Sequence, residues 1–282
     1  MVGRGIVAVF AAGFVYAAVI YVTLPDVRSL RDSNPDSTAF IALRAREARA
    51  HGEVPRRLQR WIKYADISPY LIRAVLVAED ARFWKHEGID FDELKESMET
   101  NFERMEFVRG GSTITQQLAK NLYLSPSKDP IRKLREILIA RQLEAELSKQ
   151  RILELYLNVI EWGDGVYGAE AAARTYFRKG AAALAPQEAA LLAGALVNPR
   201  LLNPGHPTPR LRRRQQMVAR RMGLVTPPPV VAAPASPPSA APPAAPEPTP
   251  PDAVGVPTEL PGQPIDVPRG PEGKPSGSGG TP

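Results

Sequence analysis

The hydrophobic pattern begins with a long stretch that carries no charge. Gly5 to Leu24 contains only apolar, small and uncharged polar side chains. A helix of that length is about 30 Å long, which matches the hydrocarbon core of a bilayer. The pattern therefore predicts a transmembrane helix over 5–25, preceded by a short N-terminal segment at 1–4. A buried helix and a cleaved signal peptide are the alternatives, but no small-x-small cleavage site follows Ile20.

After this stretch the pattern changes at two points. Residues 26–67 are polar and charged, which indicates a juxtamembrane connector with a helix from Ser37 to Arg49. From 68 to 225 apolar residues recur at intervals of three and four, which predicts a mainly α-helical domain. Asp129-Pro130 marks one helix start, because a cap residue followed by a first-turn proline favours helix initiation. We find no alternating strand pattern, so no sheet is predicted.

Residues 226–282 are a segment of a different kind. They hold most of the chain's 30 prolines, together with alanine, glycine and serine, and they contain no aromatic residue. A segment of this composition cannot bury a core, so it is predicted to be a disordered Pro-rich tail with polyproline II stretches. A spacer and an inert tail both fit this composition.

Composition restricts the chemistry and leaves the partner open. The 282 residues include no cysteine and three histidines, which excludes disulfides and a cysteine nucleophile and makes a zinc site unexpected. The whole chain has a net charge of +6 and the tail carries −3, which leaves +9 for residues 1–225. A basic body favours an anionic partner, such as nucleic acid, a membrane surface or a phosphorylated substrate.

The first group of candidate catalytic residues follows the apolar run from Leu71 to Ala78. Glu79 ends that run, so we expect its carboxylate to be partly desolvated. Desolvation raises the pKa of a carboxyl group toward the range that suits a general base. The alternative is structural, with Glu79 and Asp80 paired to Arg82 or capping a helix.

A second group begins at Gly110-Gly111. These glycines and three hydroxyl residues lead into a predicted helix, whose first N–H groups could bind an anion. Gln116 and Lys120 are four residues apart and so share a helix face, which suits the binding of phosphate or sugar oxygens. The spacing of a nucleotide-binding P-loop is absent. A flexible loop before an ordinary capped helix is the alternative.

Two further groups lie on later predicted helices. Arg132 and Glu136 are four residues apart and predict an ion pair, whereas Lys133 is expected to point about 100° away from them. This run is either a solvated helix face or a carboxylate among cations near a phosphorylated ligand. Glu154 and Asn158 share another face and would line a site or brace one.

Taken together, these groups resemble glycosyltransferase family 51, the peptidoglycan glycosyltransferases. Five blocks match the family in order over roughly residues 68–225, and such an ordered set is far more specific than one short motif. The fifth block matches the family least well. The blocks are Glu79-Asp80-x-x-Phe83-x-x-His86-x-Gly88, Gly110-Gly111-Ser112-Thr113-Ile114-Thr115-Gln116-Gln117, Arg132-Lys133-x-x-Glu136, Lys149-x-x-Ile152-Leu153-Glu154-x-Tyr156-Leu157-Asn158 and Arg213-Arg214-x-x-Met217-Val218.

The resemblance implies a lysozyme-like glycosyltransferase domain that polymerises lipid II into β-1,4-linked glycan strands, with inversion and release of undecaprenyl diphosphate. It implies an amino terminus in the cytoplasm and a domain on the periplasmic side of the inner membrane. Because the domain is followed by the Pro-rich segment, the chain resembles the monofunctional members, which lack a transpeptidase domain. The implied partners are lipid II, the growing strand and the bilayer, with other cell-wall synthesis or division proteins left open and no nucleic acid.

The resemblance also implies roles for single residues. Glu79 matches the catalytic glutamate, which takes the proton of the attacking sugar hydroxyl, and Glu136 matches the second family glutamate. Glu136 would orient nearby cations or help to hold a divalent ion, Mg²⁺ or Mn²⁺, and no organic cofactor is expected. Lys120, Arg132 and Lys133 are candidates to stabilise the departing pyrophosphate. The other candidate substrate-binding residues are Ser112, Gln116, Gln117, Arg82 and Asn158.

Two other functions fit parts of the sequence. A lysozyme-like enzyme that cleaves glycans would need one carboxyl group kept protonated, whereas the clustered cations suit lipid-pyrophosphate chemistry. A non-enzymatic scaffold that recruits wall machinery would need neither Glu79 nor Glu136. Nucleic-acid binding rests only on the basic charge and has no recognition-helix motif to support it.

Overall fold

The computed structural model describes residues 2–104, 111–127 and 129–224. The predicted disordered tail at 226–282 lies outside these residues, as does Gly110 of the second block. The prediction of a mainly helical protein is confirmed. The helices are α1 Val2–Val22, α2 Ala39–Ala50, α3 Pro69–Glu79, α4 Phe91–Arg104, α5 Ile114–Tyr123, α6 Pro130–Glu146, α7 Lys149–Val159, α8 Ala169–Phe177, α9 Pro186–Ala195 and α10 Pro209–Arg221.

Local capping signals fix several of the helix starts. The Asp129 carboxylate accepts a hydrogen bond from the N–H of Ile131, and Pro130 occupies the first turn of α6, as predicted. The helix predicted from Ser37 to Arg49 is observed as α2, where the Thr38 hydroxyl accepts from the N–H of Ile41. These side chains satisfy N–H groups that a helix start leaves without intrahelical partners.

The hydrophobic core forms around α3. This helix packs against α9 and α10, and α5 packs against α6 and α7. The side chains of Leu71, Val75 and Leu76 are completely buried, so one continuous apolar cluster surrounds the helix that leads to Glu79. Burial of each large aliphatic side chain contributes about 1.5–3 kcal/mol. The core therefore gives the end of α3 a rigid support.

The structure contains a small three-stranded sheet, so the expectation of no sheet was wrong. Its strands are β1 Leu58–Gln59, β2 Glu161–Gly163 and β3 Val166–Tyr167. β1 runs parallel to β3, and β2 runs antiparallel to it. Strands of two or three residues are too short to show an alternating pattern, and all residues of β2 and β3 are buried. Such strands therefore leave no periodic signal.

The segment predicted as a juxtamembrane connector, 26–67, contributes to the same core. Val27 and Leu30 belong to the main apolar cluster, and β1 pairs with the sheet. The Arg151 guanidinium of α7 also donates to the carbonyl of Leu30 at 2.8 Å. The predicted boundary at residue 68 stays a prediction, but these residues pack as part of the helical body.

The uncharged N-terminal stretch forms α1. Many of its described apolar side chains face outward, among them Phe10 and Phe14, which are 74% and 76% exposed. Arg135 of α6 donates to the hydroxyl and carbonyl oxygens of Thr23 at 2.9 and 2.8 Å, just after the helix ends. Within the described ranges, no helix meets the combined requirement of length and apolarity for a membrane span, so the predicted transmembrane helix is not confirmed.

Candidate active site

A cleft of about 950 Å³ opens at the carboxyl end of α3. Residues from the first half of α4, from α5 and the segment just before it, and from α10 also line the cleft. The lining is strongly charged and carries both signs. Its residues include Glu79, Arg82, Ser112, Gln117, Arg214 and Arg221.

Glu79 is the last residue of α3 and lines this cleft. Burial raises the pKa of its carboxyl group. The Gln117 side-chain amide donates to its Oε2 at 2.8 Å, and this bond together with the charges of Arg214 and Lys120 partly opposes the effect of burial. The predicted desolvation and the predicted direction of the pKa are therefore confirmed.

A structural role was the alternative for both Glu79 and Asp80, and the structure confirms it only for Asp80. Arg82 forms ion pairs with Asp90 and Asp92. Asp80 accepts from the N–H of Ile114 at 2.9 Å and lies 3.0 Å from Nε2 of His86. Asp80 therefore joins the end of α3 to the start of α5, while the adjacent Glu79 faces the cleft.

Side chains of the protein itself bind N–H groups at the start of α5. The first N–H of the helix is engaged by Asp80, and the N–H of Gln116 donates to the Thr113 hydroxyl at 3.2 Å. Gln116 Oε1 accepts in turn from the N–H of Thr113, which completes a capping box. The prediction that this start binds an anion is corrected accordingly. Gln116 is buried in the cap, and the next residue, Gln117, reaches the cleft.

The second glutamate lies in a cluster of cations on α6. Glu136 is 3% exposed, and its two carboxylate oxygens bind Arg132 and Lys133, each at 2.5 Å. The prediction that Lys133 points away was wrong, because residues three apart also meet on a helix surface. Lys133 Nζ also donates to the Ser112 hydroxyl at 3.2 Å. Since Ser112 lines the cleft, this contact connects the cluster to it.

Lys120 of α5 lies within electrostatic reach of both glutamates. Burial lowers the pKa of its ammonium group, and the charges of Arg132 and Lys133 act in the same direction. Glu136 and Glu79 oppose this effect. Desolvation of a cation strengthens its attraction for an anion, so this group of cations suits a ligand with clustered negative charge.

The comparison with known protein families is decisive for this chain. The family model described as "Transglycosylase" matches residues 47–223. The chain belongs to the transglycosylase family.

Three similar proteins are each named "Biosynthetic peptidoglycan transglycosylase". The one from Chromobacterium violaceum is 47% identical over 195 residues, which cover 69% of this chain and 86% of that protein. The one from Dechloromonas aromatica is 48% identical over 189 residues, covering 67% and 82%. The one from Laribacter hongkongensis is 43% identical over 223 residues, covering 79% and 96%. The similarity therefore extends well beyond the short motifs.

Asn158, a predicted substrate-binding residue of the transglycosylase, is a structural brace. Its side chain is completely buried, accepts from the N–H of Ile62 at 2.9 Å, and donates to the carbonyls of Ile62 and Glu154 at 2.8 Å. Glu154 accepts from the N–H of Tyr64 at 2.8 Å. Of the two predicted roles for this face, bracing is the one observed.

Sequence reasoning missed the contribution of α10 to the cleft. Arg214, Met217 and Arg221 all line it, and Arg214 is fixed by donation to the carbonyl of Gly194 at 2.9 Å. The signal was present in the fifth block, where positions three, four and seven apart share a helix face. Only the packing of α10 against α3 shows that this face meets Glu79.

Asp80, His86 and Asp90 bring ligand-type atoms within 4.8 Å of one another. Protein groups already engage all three, since His86 and Ile114 bind Asp80, and Asp90 binds Arg82 and the N–H of Glu93. Both oxygens of Glu136 bind cations as well. These donor sets fit an internal hydrogen-bond network better than a divalent ion, which needs several oxygen ligands facing it.

Because burial disfavours the charged form of Glu79, removal of that charge is expected to stabilise the folded protein at neutral pH. The ordinary pKa of this carboxyl group is 4.5, and burial raises it in the folded state. The folded state therefore holds the proton more tightly than the unfolded state, and stability falls as pH rises through the interval between the two pKa values. Glu79→Gln is expected to raise the thermal unfolding midpoint at pH 7 and to change it little at pH 4.

Glu188→Gln is the matched control for this prediction. Burial alone would raise the pKa of Glu188, but the N–H of Ala185 and the Lys179 ammonium outweigh it and lower the pKa. This carboxylate contributes stability above its ordinary pKa, so its neutralisation should lower the midpoint at pH 7. Differential scanning calorimetry between pH 4 and 8 measures both variants. A lower midpoint for Glu79→Gln at pH 7 would contradict the assigned environment.

Proposed function

We propose that the protein is a peptidoglycan glycosyltransferase that polymerises lipid II into β-1,4-linked glycan strands. The main support is Glu79, a desolvated carboxylate that lines a cleft next to a group of half-buried cations. Family membership and the names of the similar proteins support the same reaction.

Glu79 acts as the general base in this proposal. A sugar hydroxyl of one lipid II attacks the anomeric carbon of the growing chain, and Glu79 accepts the hydroxyl proton as the new C–O bond forms. The raised pKa makes the carboxylate a stronger base than an exposed glutamate. A single displacement of an α-linked leaving group gives the inverted β-linkage.

The leaving pyrophosphate needs positive charge as its bond to the sugar breaks. Lys120, Arg132 and Lys133 supply this charge, and Glu136 orients the last two through its hydrogen bonds. Preorganised charge of this kind stabilises the transition state without further reorganisation. Ser112, which lines the cleft and accepts from Lys133, extends the contact toward the reacting sugar. The divalent ion predicted from the sequence stays a prediction, and no step here depends on it.

Hydrolysis of glycans is less well supported. A cleaving enzyme uses two carboxyl groups around the scissile bond, one of which donates a proton. The adjacent carboxylate, Asp80, is bound by His86 and by the N–H of Ile114. The cation cluster on α6 serves no purpose in a reaction whose leaving group is a neutral sugar.

The decisive experiment incubates the purified full-length protein in detergent with labelled lipid II and separates the products by gel electrophoresis. The parent protein is expected to give a ladder of glycan chains. Glu79→Gln should reduce polymerisation by about 10² to 10⁴-fold, because a general base contributes about that factor.

Glu87→Gln controls for the loss of one carboxylate. The side chain of Glu87 is 82% exposed, and neither it nor its partner Arg141 lines the cleft. This variant should polymerise at the parent rate. A ladder of parent intensity from folded Glu79→Gln would remove Glu79 as the base, and no ladder from any of the proteins would favour the scaffold function.

We also propose that α1 anchors the protein in the inner membrane, with the catalytic domain on the periplasmic side. The 20 uncharged residues from Gly5 to Leu24 and the exposed apolar side chains of α1 support this proposal. Ile131 and Leu134 are also exposed on α6, the helix whose Arg135 contacts Thr23. A lipid-linked substrate would reach the cleft from the same bilayer.

A double substitution in α1, Phe10→Glu with Phe14→Glu, tests the anchor in the full chain. Each charge placed in the hydrocarbon core costs about 2.5–3.5 kcal/mol, so the variant should leave carbonate-washed membranes. Val54→Glu, at a position that is 91% exposed outside α1, should stay in the membrane fraction. Equal retention of both variants would contradict the anchor.

The absence of cysteine from the chain allows a test of orientation. A single cysteine introduced at the exposed position Val54 should react with a membrane-impermeant maleimide once the outer membrane is permeabilised. Labelling only after lysis of the inner membrane would place the domain in the cytoplasm.

A further inference from the structure

Three helices contribute to a chain of hydrogen-bonded side chains that ends at Glu79. The Tyr156 hydroxyl of α7 donates to Oε1 of Gln117 on α5 at 2.9 Å. The Nε2 group of Gln117 donates in turn to Oε2 of Glu79 on α3 at 2.8 Å. Tyr156 is 1% exposed, and it does not line the cleft. Its hydroxyl is therefore connected to the cleft through its hydrogen bond to Gln117.

The direction of this chain follows from the chemistry of its two ends. An ionised carboxylate only accepts hydrogen bonds, so the amide of Gln117 must present its NH₂ group to Glu79. The amide oxygen then faces Tyr156, which must donate. Burial raises the pKa of the Tyr156 hydroxyl well above its usual value, with Glu79 and Asp80 adding to the effect, so the hydroxyl keeps its proton.

We propose that Tyr156 is a positioning residue of the transglycosylase reaction, which fixes the amide of Gln117 so that Gln117 holds Glu79 ionised and oriented in the cleft. The proposal rests on the role of Glu79 as base that is proposed above. It adds a residue from outside the cleft. A hydrogen bond to the amide oxygen holds the amide in one orientation, so its NH₂ group stays directed at Glu79.

The other charged groups near Glu79 determine what remains when Tyr156 is changed. Lys120 of α5 and Arg214 of α10 favour the ionised carboxylate, and Asp80 of α3 disfavours it. None of them bonds to the side-chain amide of Gln117. Further charged residues that line the same cleft are Arg82, Asp90, Glu93, Glu96 and Arg221. A substitution at Tyr156 leaves all of these charges in place and removes only the hydroxyl that orients the amide.

Loss of the Tyr156 hydroxyl should weaken the donation from Gln117 to Glu79. The amide oxygen would lose its protein donor, and rotation of the amide would turn that oxygen toward the carboxylate. A carboxyl group that faces an acceptor favours its protonated form. The base would then be protonated over a wider range of acidic pH, while its activity at alkaline pH would persist.

The experiment measures kcat/KM for the polymerisation of labelled lipid II between pH 5 and 9, with full-length protein in detergent. Tyr156→Phe is expected to shift the acid limb of the profile upward by about one pH unit. The rate one unit below the parent limb then falls about tenfold, since each pH unit in this region changes the ionised fraction tenfold. At pH 9 the rate should stay within about twofold of the parent.

Tyr176→Phe is the matched control. Its hydroxyl donates to the carbonyl of Trp162 at 3.3 Å, and Tyr176 does not line the cleft. This variant removes the same group from a half-buried tyrosine elsewhere in the domain, and its pH profile should match that of the parent. Thermal unfolding of both variants separates a loss of stability from a shift of the profile.

A second variant keeps the test decisive if Tyr156→Phe folds poorly. Gln117→Met removes the amide and should shift the acid limb in the same direction. When Gln117 is already methionine, Tyr156→Phe should cause no further shift, because the two residues act through one chain of contacts.

A Tyr156→Phe profile that falls equally at every pH, or that keeps the parent limb, would overturn the inference. Additive shifts in the double variant would also overturn it. A parent profile without an acid limb, or an active Glu79→Gln variant, would contradict the role of Glu79 as the base. These results differ from the results that would contradict the Tyr156 inference alone.

Discussion

The desolvation of one carboxylate at the end of α3 is the constraint on which this structure depends. The core that surrounds α3 holds Glu79 at a fixed place in the cleft, and burial makes its charge costly. The amide of Gln117 and the charges of Arg214 and Lys120 offset only part of this cost. The pKa therefore stays raised, which a general base needs and which a residue selected for stability alone would avoid.

The two glutamates show how one side chain takes two roles through its surroundings. Glu79 has a neutral amide as its close partner and keeps an elevated proton affinity. Glu136 is only 3% exposed, and Arg132 and Lys133 bind its two oxygens. One carboxylate is thereby suited to exchange a proton, and the other is suited to hold cations for a departing pyrophosphate. Acid–base sites commonly place two groups of the same kind in surroundings that give them different proton affinities.

Features that depend on local sequence could be predicted, and features that depend on packing could not. The Asp129 cap, the desolvation of Glu79 and the Arg132–Glu136 pair each follow from spacing within one helix or from the run before it. The bracing role of Asn158 depends on a segment nearly 100 residues away, at Ile62. The sheet pairs residues 58–59 with 166–167 through strands that carry no periodic signal.

The central claim is that burial raises the pKa of Glu79 in the folded protein. A titration of the glutamate carboxyl resonances by ¹³C NMR tests it most directly, with selectively labelled protein in detergent and with Glu79→Gln to assign the signal. The resonance missing from the variant is expected to titrate with a pKa clearly above the ordinary value of 4.5 for this carboxyl group. A resonance that titrates at or below that value would contradict the account, because Glu79 would then lack the proton affinity that the cleft is inferred to give it.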